Sequence, residues 1–246
     1  MGSLGKSLKN ISANNLGSCV ISDVIKKTNL SPKEIDEVIL GQVLSSAEGQ
    51  NPARQAAIKS GIPIETPAYI VNQVCGSGIR SVASAFQSIK AKDSKIVIAG
   101  GQENMSLAPH AIHLRTGKKL GDADLIDTMI KDGLWDAFNG YHMGVTAENV
   151  AEKFQITREE QDKFALRSQE KALEAQKQNK FKDEIINFKI KSKKSELDFN
   201  KDEHPREGIN LESLSRLKPV FKKDGTVTAG NASGINDGAA AVTLMS

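Results

Sequence analysis

The chain is 246 residues long, enough for one large domain or two small ones, and its 39% hydrophobic and 26% charged residues are the proportions of a soluble globular protein. A net charge of +3 leaves no footprint for nucleic acid, no apolar run approaches the roughly 20 residues that cross a bilayer, and residues 1–10 lack the apolar core of a secretory signal, so the expected compartment is the cytoplasm. Cys19 and Cys75, far apart in the chain, make neither a disulfide framework nor a zinc cluster, and each is judged by its surroundings.

In chain order, residues 12–27 read as a helix with Leu16, Cys19, Val20 and Val24 on one face. Ser31-Pro32-Lys33-Glu34 reads as a helix start, in which Ser31 caps, Pro32 suits the first turn and Glu34 closes a capping box. Residues 38–44 are a short apolar strand, and 51–60 a helix stopped by Gly61. Residues 69–74 form a strand that leads into Cys75. Residues 79–91 form a helix with Ile79, Val82, Ala83, Phe86 and Ile89 at helical spacing, and 95–99 a buried strand ending at Gly100-Gly101. This alternation predicts a layered α/β domain. Between residues 105 and 140 the periodicity weakens, which predicts a long excursion with short helices. Thr157-Arg158-Glu159-Glu160 is a second capping box, opening a helix from 158 to about 180. Residues 185–191 read as a strand, and 191–206, with a Lys/Ser/Glu patch near Ser192, as polar loop. Residues 226–236 are rich in glycine and small side chains, and 239–245 are a final apolar strand.

The chemistry-bearing candidate is Cys75, in Val71-Asn72-Gln73-Val74-Cys75-Gly76-Ser77-Gly78-Ile79. A strand, a cysteine, two glycines and a helix in that order predict a sharp turn with the cysteine at a helix amino terminus. Unpaired N–H groups there favour a thiolate and can hold a developing oxyanion, which suits attack on a thioester. The competing reading is a small buried cysteine in a strand-to-helix turn. Cys19, on the apolar face of its helix without a glycine turn, reads as structural.

Residues 72–79 resemble the active-site signature of the thiolase family, and five further blocks resemble it in the same order. These are Gly49-Gln50-Asn51-Pro52-Ala53-Arg54-Gln55-Ala56, residues 99–106, residues 141–151, Ser168-Gln169, and residues 227–241. The resemblance runs collinearly from about Gly5 to Ser246. It implies an α/β fold of layered thiolase type, a mixed β-sheet flanked by helices. The core is expected at residues 1–105 and 235–246, and a large inserted loop domain that covers coenzyme A at 106–234. The family's cysteine attacks an acyl-CoA thioester, and the resulting S-acyl enzyme is attacked by the α-carbanion of a second acyl-CoA. The implied activity is that of an acetyl-CoA C-acetyltransferase, joining two acetyl-CoA into acetoacetyl-CoA and reversing that reaction, within fatty acid and ketone metabolism. No metal or organic cofactor is implied, since the CoA thioester is itself the substrate.

Carried over by resemblance, Cys75 is the nucleophile, His142 and Met143 line the acyl pocket as in the short-chain biosynthetic branch, and Leu134 lies against the pantetheine arm. Arg206 is implied near the adenine and phosphates of CoA, Ser213 and Ser233 near the adenine and the pantetheine amides, and Ala229-Gly230 where the pantetheine meets the backbone. The cationic stretch 109–120 is implied in a homotetramer, with a solvated basic loop as the alternative; a homo-oligomer, dimer or tetramer, is the expected partner state, with neither nucleic acid nor membrane. The family's second-half motifs, N-E-A-F, G-H-P and C-x-G, do not occur in these residues. The expectation is therefore an amino-terminal half, with the carboxy-terminal half absent and the isolated chain inactive. Two further readings stand beside it: a 3-ketoacyl-CoA thiolase of longer chain specificity, and a catalytically incomplete CoA-binding or assembly module.

Overall fold

The computed structural model describes residues 1–191 and 196–246. In chain order its strands and α-helices begin with β1 (Gly2–Ser3), α1 (Ala13–Lys27), β2 (Glu37–Gly41), α2 (Pro52–Lys59), β3 (Ala68–Val71), α3 (Ser77–Ala91) and β4 (Ile96–Asn104). They continue with β5 (His110–Ala111), β6 (Ile126–Asp127), β7 (Trp135–Asp136), β8 (Tyr141–His142), α4 (Met143–Lys153) and α5 (Arg158–Lys177). The last are β9 (Phe188–Lys191), β10 (Glu196–Phe199), α6 (Leu211–Ser215) and β11 (Asn236–Met245). The chain divides into two compact units, Met1–Gly133 with Ile186–Phe199 and Asn236–Ser246, and Leu134–Ile185 with Asn200–Ile235. These bounds differ from the expected division at 106–234, because residues 106–133 and 186–199 group with the first unit.

The first unit is built on a mixed sheet in the order β1-β11-β4-β2-β3. Strand β2 runs parallel to β3 and β4, while β11 runs antiparallel to both β4 and β1. Alternation along the strands splits the apolar side chains between two faces. Val38, Leu40 and Ile98 pack with Ile21 and Ile25 of α1 and Ala53, Ala56 and Ala57 of α2. Ile39, Val97 and Ala99 pack on the opposite face with Ala85 of α3. Ile21, Ile39, Leu40 and Ile98 are fully buried, and each such side chain contributes about 1.5–3 kcal/mol of transfer free energy.

Several expectations are corrected here. The buried stripe of α1 is Leu16, Ile21 and Ile25 rather than Leu16, Cys19, Val20 and Val24, because the helix packs against α2 and the sheet together. Ser31 to Glu34 make one 3-10 turn with its capping box complete, and the chain then passes straight into β2. Strand β4 continues through Gly100-Gly101 to Asn104. A side chain is unwelcome at Gly100, where a Cβ would stand 2.0 Å from the Ala240 carbonyl oxygen of β11, and on the backbone the Ser81 hydroxyl of α3 accepts from the Gly100 amide at 2.9 Å and donates to its carbonyl at 2.7 Å. In α3, Ser77, Ser81 and Ala85 are buried while Ile79 and Phe86 are 78% and 55% exposed, so two of the five positions of the apolar stripe read from the sequence face outward. The expected polar loop at 191–206 contains β10, which pairs antiparallel with β9, Glu196 opposite Lys191. The Lys/Ser/Glu patch near Ser192 lies outside the described residues.

In the second unit, α5 opens on the anticipated Thr157/Glu160 capping box and ends at Lys177. The hairpin β7–β8, with Trp135 opposite His142, leads directly into α4. Neither α4 nor α6 is evident from periodicity. Among the described residues no helix is long and apolar enough to cross a membrane.

Candidate active site

Cys75 sits where the sequence places it, one residue before Gly76, the amino-terminal cap of α3. Strand β3 stops at Val71 and the chain tightens immediately. The Asn72 side chain accepts from the Val74 amide at 2.9 Å, and the Ser77 hydroxyl accepts from the Gln73 amide at 2.8 Å. The Gly76 and Ser77 amides are used within the turn, on the carbonyls of Gln73 and Val74. Among the described residues no side chain caps α3, and the next amides, Gly78 and Ile79, are the orphan donors of its first turn. Val74 has φ of +48°, a left-handed conformation that a β-branched residue adopts only under constraint, at a cost of about 1–3 kcal/mol. That strain turns the backbone so that the free Cys75 thiol is exposed while Ser77 is buried.

The first turn of α3 also lies hard against the sheet. A Cβ on Gly41, the last residue of β2, would come within 2.5 Å of the Ser77 backbone. Glycine at that position lets the cysteine turn settle over the end of β2. Among the described residues no hydrogen bond reaches the Cys75 sulfur. Cys19 is half-buried and free, and its thiol pKa is pushed up by burial and then by the Asp23 carboxylate.

The other candidates belong to the second unit. His142 caps α4, its Nδ1 accepting from the Gly144 amide at 3.0 Å, and its ring stacks on Phe221 with centroids 4.8 Å apart. Met143 opens α4 and is 38% exposed. Leu134 ends the π-helical turn Met129–Leu134 and is half-buried. Arg206 is exposed, and its amide donates to Gln169 of α5 at 2.9 Å. The Ser213 hydroxyl is engaged in the cap of α6, donating to the Asn210 carbonyl at 2.7 Å. Ala229 and Ser233 are exposed and Gly230 is half-buried.

Two buried acids hold this second group together, and sequence reading missed both. Glu148 of α4 accepts from the Thr226 and Val227 amides at 2.9 and 2.8 Å and from the Thr226 hydroxyl. Burial pushes the Glu148 carboxyl up, but the Val227 and Thr226 donors, with Lys222, outweigh it and hold the group below its ordinary value. Asp162 of α5 accepts from the Asn231 side chain at 2.9 Å and from Arg158 at 2.8 Å. Arg158 also donates to the carbonyls of Leu214 and Leu217. A Cβ on Gly230 would meet the Leu214 and Leu217 side chains at 2.5 and 2.6 Å. Thus α6, which carries Ser213, and the turn that carries Ala229-Gly230 are brought together on one frame.

Comparison with known proteins gives a consistent result. Residues 1–246 match the family described as thiolase, N-terminal domain. The chain is 57% identical over 245 residues to an acetyl-CoA acetyltransferase of Paracoccus denitrificans, covering 100% of this chain and 63% of that protein. It is 56% identical over 245 residues to an acetyl-CoA acetyltransferase of Rhizobium meliloti, covering 100% of this chain and 62% of that protein. The crystal structure of the Bacillus anthracis acetyl-CoA acetyltransferase matches with a TM-score of 0.96 at 43% identity, covering 100% of this chain and 62% of that one. The chain therefore spans less than two thirds of the length of the curated relatives it matches.

Proposed function

Because the chain belongs to the thiolase family, through its amino-terminal domain, we propose that it is the nucleophile-bearing part of an acetyl-CoA C-acetyltransferase. The observation that carries this reading is the exposed Cys75 thiol on a strained turn at the start of an uncapped helix. In the proposed first step the Cys75 sulfur attacks the thioester carbonyl of acetyl-CoA. A new C–S bond forms, the bond to the CoA sulfur breaks, and the thiolate of CoA leaves and takes up a proton. A second acetyl-CoA then gives up an α-proton, its carbanion attacks the S-acetyl carbonyl, the C–S bond to Cys75 breaks, and the cysteine thiolate takes up a proton as acetoacetyl-CoA is released. Each step splits a difficult transfer into an easier one, and the chemistry as proposed draws on no metal or organic cofactor.

The proposed CoA contacts are Leu134, His142, Met143, Arg206, Ser213, Ala229, Gly230 and Ser233. The exposed Arg206 guanidinium suits phosphate or adenine, and the bulk of Met143 suits a short acyl group. We place the reaction in the cytoplasm and in fatty acid and ketone metabolism, within a homo-oligomer. The outward-facing Ile79 and Phe86 support a covered face in that assembly. Segment 106–234 is proposed as the part that covers CoA.

The test is acyl trapping. The chain is incubated with acetyl-CoA, quenched in acid and mapped by peptide mass. Acetyl on the Cys75 peptide, absent in Cys75→Ala, is the expected result. Acetyl on Cys19, or on neither cysteine, would leave a CoA-binding or assembly module as the better reading.

A further inference from the structure

His142 uses only one of its ring nitrogens. Nδ1 accepts from the Gly144 amide at 3.0 Å, so in the neutral ring the proton is on Nε2. Among the described residues Nε2 has no partner, although the imidazole is half-buried. That N–H is therefore free for solvent or a ligand.

What fixes that ring is carried on a second hairpin of this unit, closed by the antiparallel bridge between Pro219 and Thr228. Phe221 stacks on His142 with a 4.8 Å centroid separation and a 19° interplanar angle. It reaches that position because Gly144 has no side chain: a Cβ there would stand 2.2 Å from the Phe221 ring. One turn further along α4, Glu148 grips the Thr226 and Val227 amides, and the Val220 amide donates to the Val227 carbonyl across the hairpin at 3.0 Å. Residues 144 and 148 of one helix face thereby set the height of the hairpin, and the hairpin sets the Phe221 ring against the imidazole. Stacking of this kind fixes the plane of the ring, and within that plane the Gly144 hydrogen bond selects the edge that carries Nδ1.

We propose that Phe221 is the positioning residue for His142, holding it in the Nε2–H tautomer so that this N–H is offered to a carbonyl oxygen of an acyl-CoA, either its thioester or a pantetheine amide. The ligand half of this proposal rests on the acyl-CoA reading above; the positioning half does not. The second is tested on the chain itself by heteronuclear NMR of the imidazole nitrogens, with the His142 signals assigned by loss in His142→Gln. The native chain should show a single Nε2-protonated tautomer. Phe221→Leu, which keeps apolar bulk but loses the flat ring, should average the two nitrogens. Gly144→Ala, which displaces the ring, should do the same, and Phe221→Tyr should restore the native pattern. A Phe221→Leu chain with a native melting transition and an unchanged single tautomer would overturn the positioning role. Titration with acetyl-CoA should shift the Nε2–H resonance of the native chain, and Phe221→Leu should weaken binding roughly two- to tenfold, the range of one neutral hydrogen bond. A native Nε2–H resonance indifferent to saturating acetyl-CoA would overturn the ligand role while leaving the tautomer result intact.

Discussion

The Ser77 hydroxyl donates to the carbonyl of Val74 at 2.6 Å while Val74 is held at φ +48°. The buried serine is thus the clasp on the strained residue that presents Cys75. The same oxygen accepts from the Gln73 amide, so removing it leaves that amide without a partner, while the Val74 carbonyl keeps only the Ser77 amide. Ser77→Ala should destabilise the fold by about 1–3 kcal/mol, the range of two lost hydrogen bonds at about 0.5–1.5 kcal/mol each, and should slow acetylation of Cys75. Chemical denaturation and the trapping experiment measure the two effects. Acetylation at the native rate in a destabilised Ser77→Ala chain would show that the turn positions itself without the clasp.

Iodoacetamide at neutral pH should modify Cys75 well before Cys19. Cys75 is exposed, whereas the Cys19 thiol is half-buried and its pKa is raised by burial and by Asp23. The thiolate is the reacting form. Peptide mapping over a time course reads the order directly, and equal rates in the folded chain would contradict it.

Glu148 makes stability depend on acidity in a definite direction. Its folded carboxyl lies below the ordinary value of 4.5, so its contribution is fully present above that pH and is lost as pH falls through it toward the folded value. Glu148→Gln should cost about 2 kcal/mol near neutrality, since hydrogen bonds to a charged acceptor are involved. The gap between native and variant should narrow as the pH drops below 4.5. A gap that is constant across that range would mean the carboxylate charge contributes nothing to holding Thr226 and Val227.

The cysteine turn was legible because its signals are local: a strand, then glycines, then a helical period, all within residues 69–91. The parts that escaped depend on distant partners. Glu148 meets residues 78 and 79 positions away and Asp162 meets one 69 positions away, and no window of sequence pairs them. Strand β4 outran its expected end because Gly100-Gly101 reads as a break, whereas in the fold the absent side chains admit the β11 backbone at Gly100 and the Gly41 and Gly78 backbone at Gly101. Phe221 carries no local signal in the sequence, and Gly144 beneath its ring shows why both are there.

The most direct test of the central claim is thiolysis of acetoacetyl-CoA by CoA, followed as loss of the substrate's absorbance. The chain is assayed alone and then with a separately produced carboxy-terminal half of a relative. No turnover is predicted for the chain alone, because the family's G-H-P and C-x-G motifs do not occur in these residues and each positioned acid–base group contributes on the order of 10²- to 10⁴-fold. Turnover is predicted with the added half, and none when the chain carries Cys75→Ala. Turnover that survives Cys75→Ala, or robust turnover by the chain alone, would contradict the assignment of Cys75 as the acyl carrier in a site completed from elsewhere.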